Sequence, residues 1–189
     1  MVKPFYQGKL DTFCAIYAVL NALRLTHGIR VLKARDILNE TLLALAGAPE
    51  AFRAVLGQET DYLNLVDGML RAQSRAFPLE VRRPFAPEEQ PTVDELWRAC
   101  REWLAPERGR AVIFRFLRSL TPEGPPVNRH WTTADHMNDE ILHLFDCSHE
   151  AEAILNIRKD SFVTRPEAVS QGRLLYIQPD SLRLLRLPF

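Results

Sequence analysis

Apolar residues recur at helical spacing along the first half of the chain. The first set follows steps of three and four residues and consists of Ala15, Ile16, Val19, Leu20 and Leu23. This periodicity predicts an amphipathic helix over 13–26. The same pattern predicts three further helices and one shorter helical segment, over 33–46, 62–74, 93–104 and 51–56. Thr92 and Glu95 have the spacing of a capping box at the start of the fourth helix.

β-Branched and aromatic runs dominate after Gly109 and predict strands. The runs cover 111–117, 129–136, 141–146, 174–178 and 182–187, and an earlier one covers 79–81. Helices followed by mostly antiparallel strands favour an α+β fold over a doubly wound sheet. We expect 1–189 to be a single domain, with a mainly helical half over 1–105 and a mainly β half over 106–189.

Charge and cysteine content narrow the functional classes. Lys plus Arg and Asp plus Glu both total 24, which argues against a nucleic-acid partner. Cys14, Cys100 and Cys147 are odd in number and widely spaced, which is unlike a disulfide framework. No apolar run is long enough to span a membrane, and the first residues lack the apolar core of a secretory signal. We expect a cytoplasmic protein, with delivery by a signal-independent secretion system as the alternative.

Cys14 stands where the first helix pattern begins, seven residues after Gln7. Asp11 or Thr12 is the predicted N-cap, which places Cys14 in the first helical turn. A buried cysteine is usually a small structural hydrophobe, so Cys14 needs a base and an orienting group before it indicates catalysis.

A hairpin over 129–146 supplies both groups. Asn138 and Asp139 are typical turn residues between its two strand-like runs. A three-residue loop centred on Asn138 predicts three opposed pairs: His130 with Asp146, Trp131 with Phe145, and Thr132 with Leu144. A two-residue loop would instead oppose His130 to Cys147. Directly opposed Cβ atoms lie roughly 5 Å apart, so Asp146 can orient the His130 imidazole.

These residue types suit nucleophilic catalysis. The helix N-terminus and an imidazolium both favour the Cys14 thiolate, and His130 is the candidate base. Gln7 and the backbone N–H of Cys14 can donate to an oxyanion. Asp11 opposes thiolate formation unless it caps the helix.

The order Gln7, Cys14, His130 and Asp146 resembles that of papain-like cysteine peptidases. The short chain and the His-Trp-Thr-Thr…Leu-Phe-Asp hairpin are most similar to C39-like bacterial peptidases, and the segment 13–23 is similar to the phytochelatin synthase branch. The resemblance implies a papain-like fold and a Cys–His–Asp triad with a Gln oxyanion donor. It also implies cleavage of a peptide or isopeptide bond through a Cys14 thioester.

The chain departs from many papain-like members because Phe13 and Ala15, instead of glycines, flank the nucleophile. A narrow cleft beside Phe13 would favour cleavage after small residues, as in a leader peptide or a ubiquitin-like tail. Asp11, Phe13 and Trp131 are candidates for the substrate cleft. A papain-fold acyl or peptidyl transferase and a catalytically silent binding module are the alternative functions.

The remaining histidines and Cys147 are weighed as metal ligands. In the predicted register His136 and His143 lie on opposite faces, and His149 adds no zinc-motif spacing. We therefore expect no metal and no cofactor. Cys100, between Trp97 and Trp103 on an amphipathic helix, is predicted to be a core residue.

Overall fold

The structure is a computed structural model that describes residues 2–8, 12–57, 62–105, 109–148 and 154–188. Five helices lie in the first part of the chain: α1 Cys14–His27, α2 Val31–Ala46, α3 Pro49–Leu56, α4 Tyr62–Gln73 and α5 Val93–Leu104. They match the five predicted segments to within two residues at each end. The capping box predicted at α5 is confirmed, since Thr92 Oγ1 accepts from the Glu95 N–H and Glu95 accepts from the Thr92 N–H.

One sheet of seven strands forms most of the rest. The strands are β1 Glu80–Arg82, β2 Arg110–Arg118, β3 Asn128–Met137, β4 Ile141–Leu144, β5 Asn156–Arg158, β6 Phe162–Val163 and β7 Leu175–Arg186. Their order is β1-β7-β2-β3-β4-β5, with antiparallel neighbours, and β6 joins β7 in parallel. Two 3₁₀ turns, Lys159–Ser161 and Pro166–Ala168, flank β6. The predicted α+β class is confirmed.

Three features of the sheet differ from the prediction. The runs predicted as separate strands over 174–178 and 182–187 form the single strand β7, whose pairing with β2 shifts register between Ile113 and Arg115. β5 and β6 were not predicted. They have three and two residues, which is too few to show an alternating pattern.

Alternation along β2 builds a core on each face of the sheet. Ala111 and Ile113 belong to a buried cluster with residues of α1, α2 and α4. Val112, Phe114 and Phe116 belong to a second cluster with residues of α5. The sheet therefore lies between α1 and α4 on one side and α5 on the other. α1 packs on β2 and β3, and this contact brings the helix start to the hairpin.

A buried ion pair connects α4 to β7. Arg183 Nε and Nη2 donate to the two carboxylate oxygens of Asp67 at 2.7 and 2.9 Å. Arg183 is 2% exposed, so this two-pronged bond satisfies a charge that is nearly out of water.

Within the described part of the chain, each helix is too short or too polar to cross a membrane.

Candidate active site

Cys14 is the first residue of α1, as the apolar pattern predicts. The predicted N-cap, Asp11 or Thr12, is wrong, because the N-cap position is Phe13. A capping side chain must precede the first helical residue directly, and Thr12 is one residue too early. Asp11 itself lies outside the described residues. Cys14 is 8% exposed, at the N-terminal end where the helix dipole favours negative charge.

The hairpin that carries His130 has a different register from the predicted one. Ala134 lies opposite Leu144, and the Phe145 N–H donates to the Thr133 carbonyl at 2.7 Å. The predicted opposition of Trp131 to Phe145 and of Thr132 to Leu144 is therefore wrong by two residues. The cause is the position of the turn.

Two local features set this register. The Asn138 N–H donates to the Ile141 carbonyl at 2.9 Å, so the tight turn is Asp139–Glu140. Asn138 Oδ1 accepts from the N–H groups of Glu140 and Ile141 and stabilises that turn. Next to the turn, the pairing differs from the predicted register by three residues. A register shift between Ala134 and His136 reduces this difference to two residues for the rest of the hairpin.

The same register, continued past β4, places Asp146 opposite Thr132 and Ser148 opposite His130. An offset of two residues leaves every side chain on its original face, because side chains alternate with a period of two. Asp146 Oδ1 accepts from His130 Nε2 at 2.7 Å and from Thr132 Oγ1 at 2.7 Å. The predicted partnership of His130 and Asp146 is present, although their direct opposition is not.

Burial makes this partnership electrostatically strong. His130 and Asp146 are 5% and 3% exposed. Burial lowers the pKa of His130, but hydrogen bonds with Asp146, Cys14 and Cys147 and the Asp146 charge outweigh it and raise that pKa above its usual range. Burial raises the pKa of Asp146, yet bonds from His130, Thr132 and Ser148 bring it below its usual value. The pair is therefore an imidazolium and a carboxylate at neutral pH.

Cys147 joins the site, and the sequence reasoning gave it no catalytic role. Its Sγ lies 3.9 Å from His130 Nε2 and donates to Gln7 Oε1 at 3.5 Å. The Gln7 N–H donates to the Cys147 carbonyl at 2.9 Å. Cys147 therefore holds the N-terminal segment, and with it the Gln7 amide, beside the hairpin. Its position directly after Asp146 was the signal that could have revealed it.

A cavity of about 140 Å³ contains Cys14 and His130. Its walls are formed by Gln7, Thr12, Cys14, Tyr62, Arg115, Asn128, Arg129, His130 and Trp131. Trp131, a predicted cleft residue, is therefore at the cavity. Phe13 is not among the lining residues and packs against the α1 core cluster instead.

A second, larger cavity of about 640 Å³ is lined by Asp146 and by residues of the N-terminal segment. His136 and His143 line it and stack, with ring centroids 4.1 Å apart. The prediction that they lie on opposite faces is wrong, because the register shift before His136 sets the two residues directly opposite each other. His149 lies outside the described residues.

The described residues contain one group that could offer three metal ligands. His130, Asp146 and Cys147 have ligand atoms within 4.8 Å of one another. Both the imidazole Nε2 and the carboxylate are already bonded to each other, so a metal would have to break that bond. The arrangement instead joins a histidine, a thiol at a helix start and a side-chain amide around one cavity, with Asp146 bonded to the histidine from outside that cavity.

A scan against models of known protein families finds no match for the chain, and a search of the curated proteins finds none either.

Proposed function

We propose that the protein is a papain-like thiol hydrolase that cleaves a peptide or isopeptide bond through a thioester on Cys14. The observation that carries the proposal is the 2.7 Å bond between Asp146 Oδ1 and His130 Nε2 beside the Cys14 cavity. That bond occupies Nε2 and leaves Nδ1 as the nitrogen that exchanges a proton with the substrate or the thiol. It also holds the ring in one orientation throughout the cycle.

The reaction follows from these positions. Cys14 Sγ attacks the substrate carbonyl carbon, and the Gln7 amide and the Cys14 N–H donate to the oxyanion that forms. His130 gives a proton to the leaving amine, and the C–N bond breaks to leave a thioester. His130 then takes a proton from water, which attacks the thioester and releases the acid and the free thiol.

Cys14 is a better nucleophile candidate than Cys147. Cys147 is 1% exposed, and burial raises the pKa of its thiol to about 11, so it is protonated at neutral pH. It also does not line the cavity of about 140 Å³. Cys14 lines that cavity and stands at the N-terminal end of a helix dipole. The small cavity volume favours water over a bulky acceptor, which supports hydrolysis over transfer.

Alkylation by iodoacetamide tests this assignment. We expect Cys14 to be carboxamidomethylated first, well ahead of Cys100 and Cys147. The folded protein is labelled, quenched at successive times and digested, and mass spectrometry of the peptides measures the labelling of each cysteine. His130→Ala should slow Cys14 labelling by about a hundredfold, because the imidazolium that stabilises the thiolate is lost.

The matched control is His136→Ala. It removes an exposed histidine from the same strand and should leave Cys14 labelling unchanged. Equal, slow labelling of all three cysteines, or preferential labelling of Cys147, would contradict the proposal.

A further inference from the structure

Two arginines line the cavity that contains Cys14. Arg115 is on β2 and Arg129 is on β3. The β2–β3 register sets Arg115 opposite Trp131, and Arg129 is two residues from Trp131 on the same strand. Opposed residues and residues two apart share a face, so these three side chains lie on one side of the sheet.

Arg115 is held in place by neutral groups. Its backbone N–H donates to Ser181 Oγ at 2.8 Å, and its side-chain Nη1 donates to Gln178 Oε1 at 3.3 Å. Among the described residues neither Arg115 nor Arg129 has a carboxylate as an ion-pair partner. The cavity walls formed by those residues also contain no carboxylate. Two cationic residues therefore belong to the cavity lining and have no carboxylate partner in the described part of the chain.

Trp131 lies on the same wall. It is 1% exposed, and its indole Nε1 is buried with no hydrogen-bond partner among the described residues. Because Nε1 has no contact with solvent, recognition of a charged group at this wall falls to the two arginines.

We infer that Arg115 and Arg129, beside Trp131, form a carboxylate-binding subsite, so that the substrate carries a carboxylate close to the scissile bond. The inference rests on the proposed function, because it takes Cys14 as the reacting thiol. A planar guanidinium binds a carboxylate through two parallel hydrogen bonds, and a neutral partner such as Gln178 leaves those donors available. The cavity volume of about 140 Å³ admits a carboxylate on a short arm and excludes a large side chain.

Iodoacetate and iodoacetamide form a matched pair of probes for this subsite. Both alkylate a thiol by displacing iodide, but only iodoacetate carries a carboxylate. The measured quantity is the ratio of the two Cys14 labelling rates. The His130 imidazolium also attracts iodoacetate, so the test lies in how arginine variants change the ratio.

Arg115→Gln and Arg129→Gln should each lower the iodoacetate-to-iodoacetamide ratio by about tenfold, the lower end of what a charge-assisted hydrogen bond contributes. Arg115→Lys should keep part of the preference, since it retains the charge without the two-pronged geometry. The control is Arg118→Gln, which removes the same charge from an exposed position on β2 outside the cavity. It should leave the ratio within about twofold of wild type, because Arg118 does not line the cavity that holds Cys14.

The substrate carboxylate can be a chain end or an acidic side chain, and small carboxylates distinguish these two sources. N-Acetylglycine presents a C-terminal carboxylate, and the α-amide of N-acetylglutamate presents only a side-chain carboxylate. Each is tested for protection of Cys14 against iodoacetamide, with N-acetylglycinamide as the neutral reference. Stronger protection by either acid supports the subsite and identifies whether a chain end or an acidic side chain fills it.

The outcomes separate the two proposals. If Cys14 labels no faster than Cys100 with either reagent, the proposed function fails. If Cys14 labels rapidly but the ratio is the same in Arg115→Gln, Arg129→Gln and wild type, the hydrolase assignment stands and the carboxylate subsite is wrong. Equal protection by the acids and the neutral reference would also overturn the subsite.

Discussion

Asp146 Oδ1 lies 2.7 Å from His130 Nε2, although Asp146 is two residues out of register with His130 on the hairpin. Thr132 holds the directly opposed position and donates its hydroxyl to the same oxygen at 2.7 Å. The Ser148 N–H donates to the other oxygen, Oδ2, at 3.2 Å. Three donors, two on β3 and one in the segment after β4, thus fix one buried carboxylate, and the carboxylate fixes the imidazole ring.

Replacing Asp146 with Asn should therefore lower the pKa of His130. Without the carboxylate, burial becomes the dominant influence, and burial favours the neutral imidazole. We expect His130 to titrate below 6.5 in Asp146→Asn, as measured from its ring carbon-bound proton shifts by NMR across pH 4–9. Cys14 labelling by iodoacetamide should slow in parallel, because the neutral ring no longer stabilises the thiolate.

Asp135→Asn is the matched control for this change. Asp135 accepts from Nδ1 of its neighbour His136 at the same 2.7 Å, but that pair is solvent-exposed. Screening by water makes such a pair weak, so the pKa of His130 and the Cys14 labelling rate should stay at wild-type values. A His130 pKa that remains above its usual range in Asp146→Asn would contradict the electrostatic account.

Thr132 acts on His130 only through Asp146, which makes it a positioning residue. Thr132→Val keeps the shape and removes the hydroxyl that donates to Oδ1. The pKa of Asp146 should rise, since one bond that favours the charged carboxylate is gone. The titration of the Asp146 carboxyl carbon, followed by ¹³C NMR, should consequently move to higher pH, while Thr132→Ser should restore the wild-type titration. Identical titrations for the Val and Ser variants would show that the hydroxyl does not position the carboxylate.

The helices and the candidate acid–base pair could be predicted from sequence because both follow local periodicity. The helix period located α1 and Cys14 to within one residue, and alternation along β3 placed His130 on a defined face. An even register error preserves that face, so Asp146 was found despite the wrong offset. His136 and His143 were misplaced because a bulge changes the register by one residue, and neighbouring residue types do not reveal it.

Part of the cavity wall could not be predicted. Arg115 and Tyr62 are 53 residues apart in the sequence, and they reach the Cys14 cavity through the packing of β2 and α4. The role of Cys147 depends on how the N-terminal segment pairs with the chain after β4. Such contacts are set by tertiary packing, which one sequence does not encode in any short pattern.

The Asp67–Arg183 pair should be a large contributor to stability when one partner is removed. Asp67→Asn leaves the Arg183 guanidinium buried without a counter-charge, and we expect the free energy of unfolding to fall by about 3 kcal/mol. Urea unfolding followed by far-UV circular dichroism gives this value.

The control for Asp67→Asn is Asp160→Asn, in the exposed pair with Arg158. That pair has the same two-pronged geometry, at 3.0 and 2.9 Å, but both side chains are open to solvent. Its loss should leave the unfolding free energy within the error of the measurement. Equal losses in the two variants would mean that burial does not decide the contribution of these pairs.

Cys100 should make the protein less stable at alkaline pH. Burial raises the pKa of its thiol from 9.0 to about 12, so above pH 9 the unfolded chain releases a proton that the folded chain retains. The unfolded state then binds fewer protons, and the free energy of unfolding falls with rising pH. Cys100→Ala removes this pH-dependent loss of stability but also creates a cavity. Its stability deficit relative to wild type should therefore shrink by about 2 kcal/mol between pH 8 and pH 10.5.

Leu96→Ala is the control, since it creates a cavity on the same buried side of α5 without removing a titrating group. Its deficit should stay constant over the same pH range, because the thiols are identical in that variant and in wild type. Urea unfolding at four pH values measures both differences. A Cys100→Ala deficit that is as constant as that of Leu96→Ala would mean that the Cys100 thiol ionises equally in the folded and unfolded states, which its 1% exposure in the α5 core argues against.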